Sequence, residues 1–123
     1  MSRLADALAI LERLDPDAPQ RVQANLDGFA PDAAELVLGY AFADILSRPA
    51  LNLRSREMLT VAMLAAMATA PGQLQFHIRA ALNCGVTRAE IIEIILQVSV
   101  YAGVPACMNA ITAAKAAFAG ADE

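Results

Sequence analysis

The sequence predicts an all-α protein of about six or seven helices. Apolar residues recur with the 3.6-residue period of an amphipathic helix, and no stretch alternates with the two-residue period of a strand. Glycines and prolines divide the periodic segments into pieces of helical length. With 123 residues the chain is expected to form a single domain over residues 1–123, with an N-terminal helical arm at 1–30 and a core at 31–120.

Three helices are expected before residue 50. Ser2 can cap a first helix whose leucines face inward and which ends at Asp15. A short helix is predicted from Pro19 to Asp27, with Gly28 as its end. A longer helix opens beside Pro31 and runs until Pro49 closes it.

Two further helices are predicted, one before and one after residues 71–105. From Arg54 the chain is expected to form a central helix, because residues Met58–Ala68 are apolar on every side apart from Thr60. Such a pattern is typical of a helix buried all round. The last helix is predicted at Pro105–Ala119, with Gly120 as its end.

Residues 71–105 hold the single histidine and the clearest helix signals. His77 lies at helical spacing among apolar residues, so its side chain is predicted to point inward. Gly85 suits the left-handed position after this helix, and Thr87 with Glu90 forms a capping box for the next helix, which is predicted to end at Gly103. His77 is then either a core histidine satisfied by a hydrogen bond or a functional group.

The composition favours an oligomer and disfavours two classes of partner. Apolar residues make up 58% of the chain, above the usual share of about 45–50%, so we expect a homo-oligomer that buries the excess. A trimer or a hexamer is the expected state, although the composition does not set the number of subunits. The net charge of −4 gives no electrostatic case for nucleic acid or an anionic membrane. The chain start does not resemble a signal peptide, and the apolar runs fall short of a bilayer span of about 20 residues. A cytoplasmic protein is expected.

Arginines and acids near residue 50 suggest a site for a carboxylate. Arg48, Arg54 and Arg56 fall close together, and a guanidinium recognises carboxylates with a fork of donors. Ordinary surface arginines are the alternative interpretation. The acids beside this cluster that could orient an imidazole or a guanidinium are Asp44 and Glu57. Glu57 has the alternative role of an acid near a helix N-terminus.

The two cysteines indicate no metal site. Cys84 and Cys107 are far apart and lack Cys-x-x-Cys spacing, so they are interpreted as small buried apolar residues. Two cysteines and one histidine at these separations cannot assemble a zinc site. Tyr101 can line a site with its hydroxyl or pack beside the Gly103 turn.

Several blocks resemble the carboxymuconolactone decarboxylase family, and its short decarboxylase branch more than its peroxidase branch. The blocks are Ser47-Arg48-Pro49, Arg56, His77-Ile78-Arg79-Ala80-Ala81-Leu82-Asn83, Gly85-Val86-Thr87 and Tyr101-Ala102-Gly103-Val104-Pro105. The resemblance runs from about Phe42 to Phe118, and the residues before it match poorly. It implies the alkylhydroperoxidase-like fold of this family, a compact helical bundle with an antiparallel helix pair at its core.

The resemblance also implies an activity: a lyase that removes carbon dioxide from a carboxylated lactone or related acid in the breakdown of aromatic compounds, without metal or organic cofactor. His77, as the one imidazole, would exchange the proton. Glu57 and Asp44 would assist it. The residues expected to bind the carboxylated small molecule are Arg48, Arg56, Arg79 and Tyr101.

The sequence departs from the family motifs at two places, and two alternatives to the decarboxylase prediction stay open. The peroxidase branch needs cysteines four and seven residues before its histidine, and Gln73 and Ala70 stand there, which disfavours a thiol peroxidase. Phe42 and Leu46 stand where the decarboxylase motif has tryptophans, so the pocket is expected to differ and the natural substrate is left open. The third reading is a non-enzymatic helical assembly that binds a small carboxylate.

Overall fold

The computed structural model describes residues 2–122, and this part of the chain is helical without a β-strand. The all-α prediction is therefore confirmed. The helices are α1 Arg3–Leu14, α2 Ala18–Phe29, α3 Ala33–Leu38, α4 Leu53–Met67, α5 Pro71–Asn83, α6 Arg88–Ala102 and α7 Val104–Ala121, with a π-helix at Gly39–Leu46. The helices form two compact units, one ending at Leu53 and the other beginning at Arg54. The predicted single domain with an arm at 1–30 stays a prediction.

The first two helices begin and end for local reasons. Ser2 caps α1 as predicted, because its Oγ accepts a hydrogen bond from the Ala5 N–H at 3.1 Å. The predicted end of α2 at Gly28 is wrong, since the helix runs on through Phe29. Pro31 supplies the actual stop: it excludes the helical conformation from the residue before it, and Ala30 is extended with φ −147° and ψ 138°.

The predicted long helix before Pro49 is a short α3 continued directly by the π-helix. The side chain of Arg3 crosses this region at Gly39, where a Cβ atom would lie 2.8 Å from the Arg3 Cζ. Glycine therefore leaves the space that the guanidinium occupies. From there Arg3 donates to Glu35 Oε1 at 3.0 Å and to Asp44 Oδ2 at 3.0 Å, which ties α1 to α3 and to the π-helix.

The second unit, α4 to α7, encloses an apolar core. Helix α7 packs against both α5 and α6, and its inward face is almost entirely alanine, so the helices approach closely. The core combines Val61 and Ala65 of α4, Leu74, Ile78 and Ala81 of α5, Ile91, Ile95 and Val98 of α6, and Ala106, Ala110, Ala113, Ala114 and Ala117 of α7. Glu57 of α4 and His77 of α5 lie beside this apolar core.

Helix α4 is not buried all round, which corrects the sequence prediction. Leu59, Met63 and Met67 lie one helical turn apart and are 46%, 56% and 57% exposed. The apolar sequence of α4 indicated burial on every side, but α5, α6 and α7 cover only part of its circumference. An apolar stripe of α4 therefore faces outward.

The turn between α5 and α6 forms as predicted. Gly85 has φ +92°, and the Val86 N–H returns to the Ala81 carbonyl at 3.0 Å, which closes α5 with a Schellman motif. Thr87 Oγ1 accepts from the Glu90 N–H at 3.1 Å, while Glu90 Oε1 accepts from the Thr87 N–H at 2.9 Å. This reciprocal capping box starts α6.

The break between α6 and α7 also falls where it was predicted, at Gly103 with φ +96°. Pro105 lies in the first turn of α7, where its missing N–H costs no helical hydrogen bond. The predicted end at Gly120 is wrong, because α7 continues through this glycine to Ala121.

Candidate active site

Glu57 of α4 and His77 of α5 form a buried hydrogen-bonded pair. The Glu57 Oε1 lies 2.6 Å from the His77 Nδ1. The Glu57 side chain is completely buried, and that of His77 is 13% exposed. A carboxylate is costly to remove from water unless hydrogen bonds compensate it, so the pair holds both side chains in place.

Each partner reaches this position through the helical period of its own sequence. The buried residues of α4 recur every four positions as Leu53, Glu57, Val61 and Ala65, so a single acid stands in an otherwise apolar stripe. His77 lies next to the core residue Ile78 on α5 and is confirmed as pointing largely inward.

The alternative interpretation of Glu57, an acid at a helix N-terminus that favours the helix dipole, is wrong. The first turn of α4 carries no acidic residue, and Glu57 is fully buried. Its second oxygen, Oε2, is also buried and accepts no hydrogen bond from the residues that the structure describes. Native proteins pair most buried polar atoms, so each exception calls for an explanation, and a catalytic role is one of them. The atom marks this pair as a candidate centre for chemistry.

The ring of His77 is held on a second side by Phe76. The two rings meet edge to face, with centroids 5.0 Å apart and planes at 84°. With Nδ1 donating to a carboxylate, the neutral imidazole has its lone pair on Nε2. The carboxylate also compensates positive charge when the ring takes up a second proton. The pair is thus equipped to give and take one proton at Nε2.

Arg54, one of the three clustered arginines, makes structural contacts with the turn between α5 and α6. Its guanidinium pairs with Glu90 and lies 3.4 Å from the Gly85 carbonyl, which ties the start of α4 to the turn between α5 and α6. Arg54 and the Thr87 backbone N–H together lower the pKa of Glu90 from 4.5 to about 2. Glu90 is therefore a capping and ion-pairing residue.

Asp44, predicted as a catalytic acid, lies on the π-helix. Both of its oxygens accept from Arg3, with Oδ1 3.1 Å and Oδ2 3.2 Å from the Arg3 Nε. The hydrogen bond to Arg3 lowers the pKa of the Asp44 carboxyl group, and Asp44 raises that of Arg3 in turn. These contacts give Asp44 a role in holding α1, and its catalytic role stays a prediction.

The three arginines expected to bind the substrate occupy different settings. Arg48 is exposed after the π-helix, where its backbone N–H donates to the Ile45 carbonyl. Arg56 is half-buried on α4, directly before Glu57. Arg79 is exposed on α5, and its guanidinium lies about 3.5 Å from where a Cβ on Gly120 would be. Their roles in binding stay predictions.

Tyr101 is 94% exposed at the end of α6 and lines an open groove of about 470 Å³ between α4 and α6. His77 and Glu57 do not line that groove. The placement of Tyr101 in the substrate pocket also stays a prediction.

The remaining sequence features are the two cysteines and the expected absence of a metal site and of a membrane-spanning helix. Cys107 is buried in the core as expected, while Cys84 is half-buried at the end of α5. Within residues 2–122 no three side chains of the types that bind metals come together. In the same part of the chain no helix combines the length and the apolar character that crossing a bilayer requires.

The carboxymuconolactone decarboxylase family profile matches residues 31–116. 4-Carboxymuconolactone decarboxylase of Acinetobacter baylyi is 37% identical over 94 residues, which is 76% of this chain and 69% of that protein. Nitrosuccinic acid decarboxylase npaB of Metarhizium robertsii is 35% identical over 86 residues, 70% of this chain and 59% of that protein. An uncharacterised 15.0 kDa protein of Paracoccus denitrificans is 32% identical over 114 residues, 92% of this chain and 80% of that protein.

The fold and the site define an all-helical protein with a buried glutamate–histidine pair. The chain belongs to the carboxymuconolactone decarboxylase family, because the family profile covers most of its length. The resemblance noted in the sequence is therefore confirmed. Two of the relatives carry decarboxylase names.

Proposed function

We propose that this protein is a cofactor-free carboxy-lyase that acts on a small carboxylated substrate. The observation that carries the proposal is the fully buried Glu57 bonded to the His77 Nδ1 at 2.6 Å. A buried carboxylate orients the ring, and the ring presents its other nitrogen to a bound molecule. The names of two decarboxylase relatives supply the reaction class.

In this proposal His77 handles the one proton that the reaction requires. When the bond between the substrate carbon and its carboxylate breaks, carbon dioxide leaves and the bonding electron pair moves onto a neighbouring electron-accepting group. His77, in its doubly protonated form with the Nδ1–H bonded to Glu57, donates the proton on Nε2 to the resulting carbanion or to its enolate oxygen and is left as the neutral ring. The ring then recovers a proton from solvent, while Glu57 keeps it in the same orientation. Atoms and electrons balance without an oxidant or a reductant.

The substrate is held by arginines in this proposal. Arg56 precedes Glu57 on α4, and Arg79 follows His77 by two positions on α5. Arg48 is the third candidate, and Asp44 and Tyr101 complete the residues that the sequence assigned to the site. A guanidinium that binds a spectator carboxylate is expected to act mainly on KM, so Arg→Lys variants distinguish binding from proton transfer.

The names of the relatives narrow the substrate class. 4-Carboxymuconolactone and nitrosuccinic acid are both acids with an electron-accepting group, a lactone system or a nitro group, placed to receive the electrons that carbon dioxide leaves behind. We propose an acid of this class, with a carboxylated lactone as the first candidate. Phe42 and Leu46, which stand where the decarboxylase motif has tryptophans, are both half-buried on the π-helix, and we expect their exchange to change the substrate preference.

The test is carbon dioxide release by the pure protein from 4-carboxymuconolactone and from nitrosuccinic acid. Release from either acid above the uncatalysed rate is the expected result. The matched controls are His77→Gln at the site and Glu93→Gln, which changes an exposed acid on α6. Turnover should fall in the first and persist in the second. Equal turnover in both variants, or no release from any acid of this class, would overturn the proposal.

The peroxidase alternative receives no support from the cysteines, since Cys107 is buried and Cys84 stands seven residues beyond His77. Peroxide turnover with a dithiol donor is expected at background, and unchanged in a Cys84→Ala, Cys107→Ala double variant. A non-enzymatic carboxylate-binding protein would instead show stabilisation by the acids with no turnover of any of them.

A further inference from the structure

Arg3 contacts one face of the helical segment 33–46, which consists of α3 and the π-helix. Its guanidinium donates from Nη1 to the Glu35 carbonyl at 3.1 Å and to Glu35 Oε1 at 3.0 Å. From Nε it donates to Asp44 Oδ1 at 3.1 Å, and from Nη2 to Asp44 Oδ2 at 3.0 Å. Between the two acids it lies against Gly39, where an added Cβ atom would be 2.8 Å from Cζ. One guanidinium therefore contacts residues 35, 39 and 44.

The spacing of these three residues matches the two helix types of the segment. Glu35 and Gly39 are four residues apart, the hydrogen-bonding repeat of an α-helix, and the Gly39 N–H donates to the Glu35 carbonyl. Gly39 and Asp44 are five residues apart, the repeat of a π-helix, and both belong to the π-helix. Residues one turn apart lie above each other on a helix surface. Glu35, Gly39 and Asp44 thus form a single row.

An uninterrupted α-helix would not present this row to Arg3. Glu35 and Asp44 are nine residues apart, which makes about two and a half α-helical turns. Their side chains would therefore point in nearly opposite directions. The residue after Gly39 in the row would be Ala43, which has no acceptor in its side chain. Arg3 keeps its ion pairs to both acids only when residues 39–46 are π-helical.

The contacts of Arg3 are strong enough in kind to select the rarer helix type. A π-helix is uncommon, so a segment that adopts it needs a contribution that the α-helix lacks. Single exposed ion pairs contribute little, but this guanidinium binds one carboxylate with two donors and a second carboxylate with a third. A network of this kind is lost as a whole when the row is broken. The π-helix is therefore favoured by Arg3.

We propose that Arg3 is a positioning residue that holds residues 39–46 in the π-helical register and so sets the directions of Phe42 and Leu46. A return to the α-helical register would turn side chains beyond Gly39 by up to about 100°, the angle per residue. The register then contributes to substrate preference, a part that rests on the proposed function. Arg3 precedes residues 31–116, which match the family profile, so this contact is a feature of the chain outside the match.

The direct test moves the acceptor of Arg3 by one residue. In the double variant Ala43→Asp, Asp44→Ala the carboxylate stands four residues after Gly39, so Arg3 should favour an α-helix. The acceptor of each backbone N–H from 44 to 46 is read from crystal structures of the full chain or from hydrogen-bond couplings in its NMR spectra. Wild type and Asp44→Glu, which keeps a carboxylate in the row, should bond five residues back. The double variant should bond four residues back.

A second variant removes the guanidinium and leaves both acids in place. Arg3→Met keeps a long side chain and should lose the five-residue bonding at 44–46. It should also change the ratio of kcat/KM for 4-carboxymuconolactone over nitrosuccinic acid by at least about fivefold, because pocket shape sets such preferences. The matched control is Arg21→Met, since Arg21 lies on α2 and pairs with Asp15 at 3.8 Å in the same unit. This control should keep both the register and the ratio.

The two measurements separate the role of Arg3 from the proposed activity. Circular dichroism must show wild-type helix content in Asp44→Glu and Arg21→Met. Five-residue bonding that persists in the double variant or in Arg3→Met would overturn the positioning role, as would its loss in Arg21→Met. A changed register with an unchanged ratio would overturn the role in substrate preference. Turnover of neither acid by wild type would overturn the proposed function alone, because the register is measured without substrate.

Discussion

The two units of this chain use their charged groups in opposite ways. In the first unit Arg3 joins Glu35 and Asp44 at the surface, with the three side chains 36%, 42% and 47% exposed. In the second unit Glu57 is fully buried and bonds to a histidine that is nearly so. Exposed pairs contribute little to stability because water and salt screen them, whereas a buried charge interacts strongly with its single partner.

This difference separates the structural carboxylates from the candidate catalytic one. Asp44 accepts three hydrogen bonds from Arg3, so its geometry is explained by the packing of α1. Glu57 has one bonded oxygen and one buried oxygen without a partner among the described residues. A buried carboxylate oxygen without a partner is unfavourable for stability, and this supports the catalytic role that we propose for the pair.

The largest expected effect comes from removing the imidazole. His77→Gln should lower turnover by about two to four orders of magnitude, the usual contribution of a general acid or an oxyanion donor. Its free energy of unfolding should fall by no more than about 1–3 kcal/mol, the cost of a broken buried hydrogen bond. Turnover and thermal unfolding are measured on the same preparation. A variant that melts lower but turns over normally would make His77 a core residue.

The next effect compares how the two units are stabilised. Ile78→Ala removes a fully buried side chain from the core of the second unit and should cost about 2–5 kcal/mol. Arg3→Ala removes the exposed pairs of the first unit and should lower the free energy of unfolding much less. Urea unfolding of both variants provides the measurement. A larger loss in Arg3→Ala would show that the surface pairs, and not the core, dominate.

A smaller effect concerns acid stability. The pKa of Glu90 is about 2 in the folded chain, below its ordinary 4.5, because Arg54 and Thr87 bind the carboxylate. Its contribution is therefore present above about pH 5 and is lost as the pH falls from 4.5 towards 2. The melting temperature should therefore fall less steeply with decreasing pH in Glu90→Gln than in wild type, because glutamine can keep the cap but lacks the charge. Asp44→Asn should likewise reduce the loss of stability at acidic pH, because the pKa of Asp44 is also lowered. An equal dependence of melting temperature on pH in wild type and Glu90→Gln would contradict this account.

The smallest effect tests the connection between α4 and α5. Ala68 has φ +58°, a left-handed conformation that disfavours residues with a Cβ atom. Ala68→Gly should therefore raise the free energy of unfolding by up to about 1 kcal/mol. Ala66→Gly, at an exposed position inside α4, should lower it by roughly 0.5–1 kcal/mol. Changes of the same sign in both variants would contradict the expected strain at Ala68.

The sequence predicted best where one or two residues set the local backbone. Gly85, Thr87, Glu90 and Gly103 act through their own conformation or caps, and each is found as predicted. The ends at Gly28 and Gly120 were predicted wrongly, because a helix tolerates a glycine when neighbouring residues continue its hydrogen bonds. The π-helix was not predicted, since apolar periodicity over eight residues does not distinguish it from an α-helix.

The sequence predicted which residues belong to the candidate site but not how they are arranged. His77 and Glu57 were both named, but their contact was not, because it depends on how α4 and α5 pack. A signal was nevertheless present. Glu57 stands at the four-residue spacing of Leu53, Val61 and Ala65, so an acid in an apolar stripe indicates a buried carboxylate that needs a partner. The exposure of one side of α4 could not be predicted, since composition does not say which faces neighbouring helices cover.

The central claim is that Glu57 and His77 act as one catalytic unit. The most direct test is a double-mutant cycle of Glu57→Gln, His77→Gln and the double variant, with turnover measured on whichever acid the wild type decarboxylates. If the two residues act together, the double variant loses no more activity than His77→Gln alone. Losses that multiply, so that the two single effects add in free energy, would contradict the account and leave Glu57 as a structural residue.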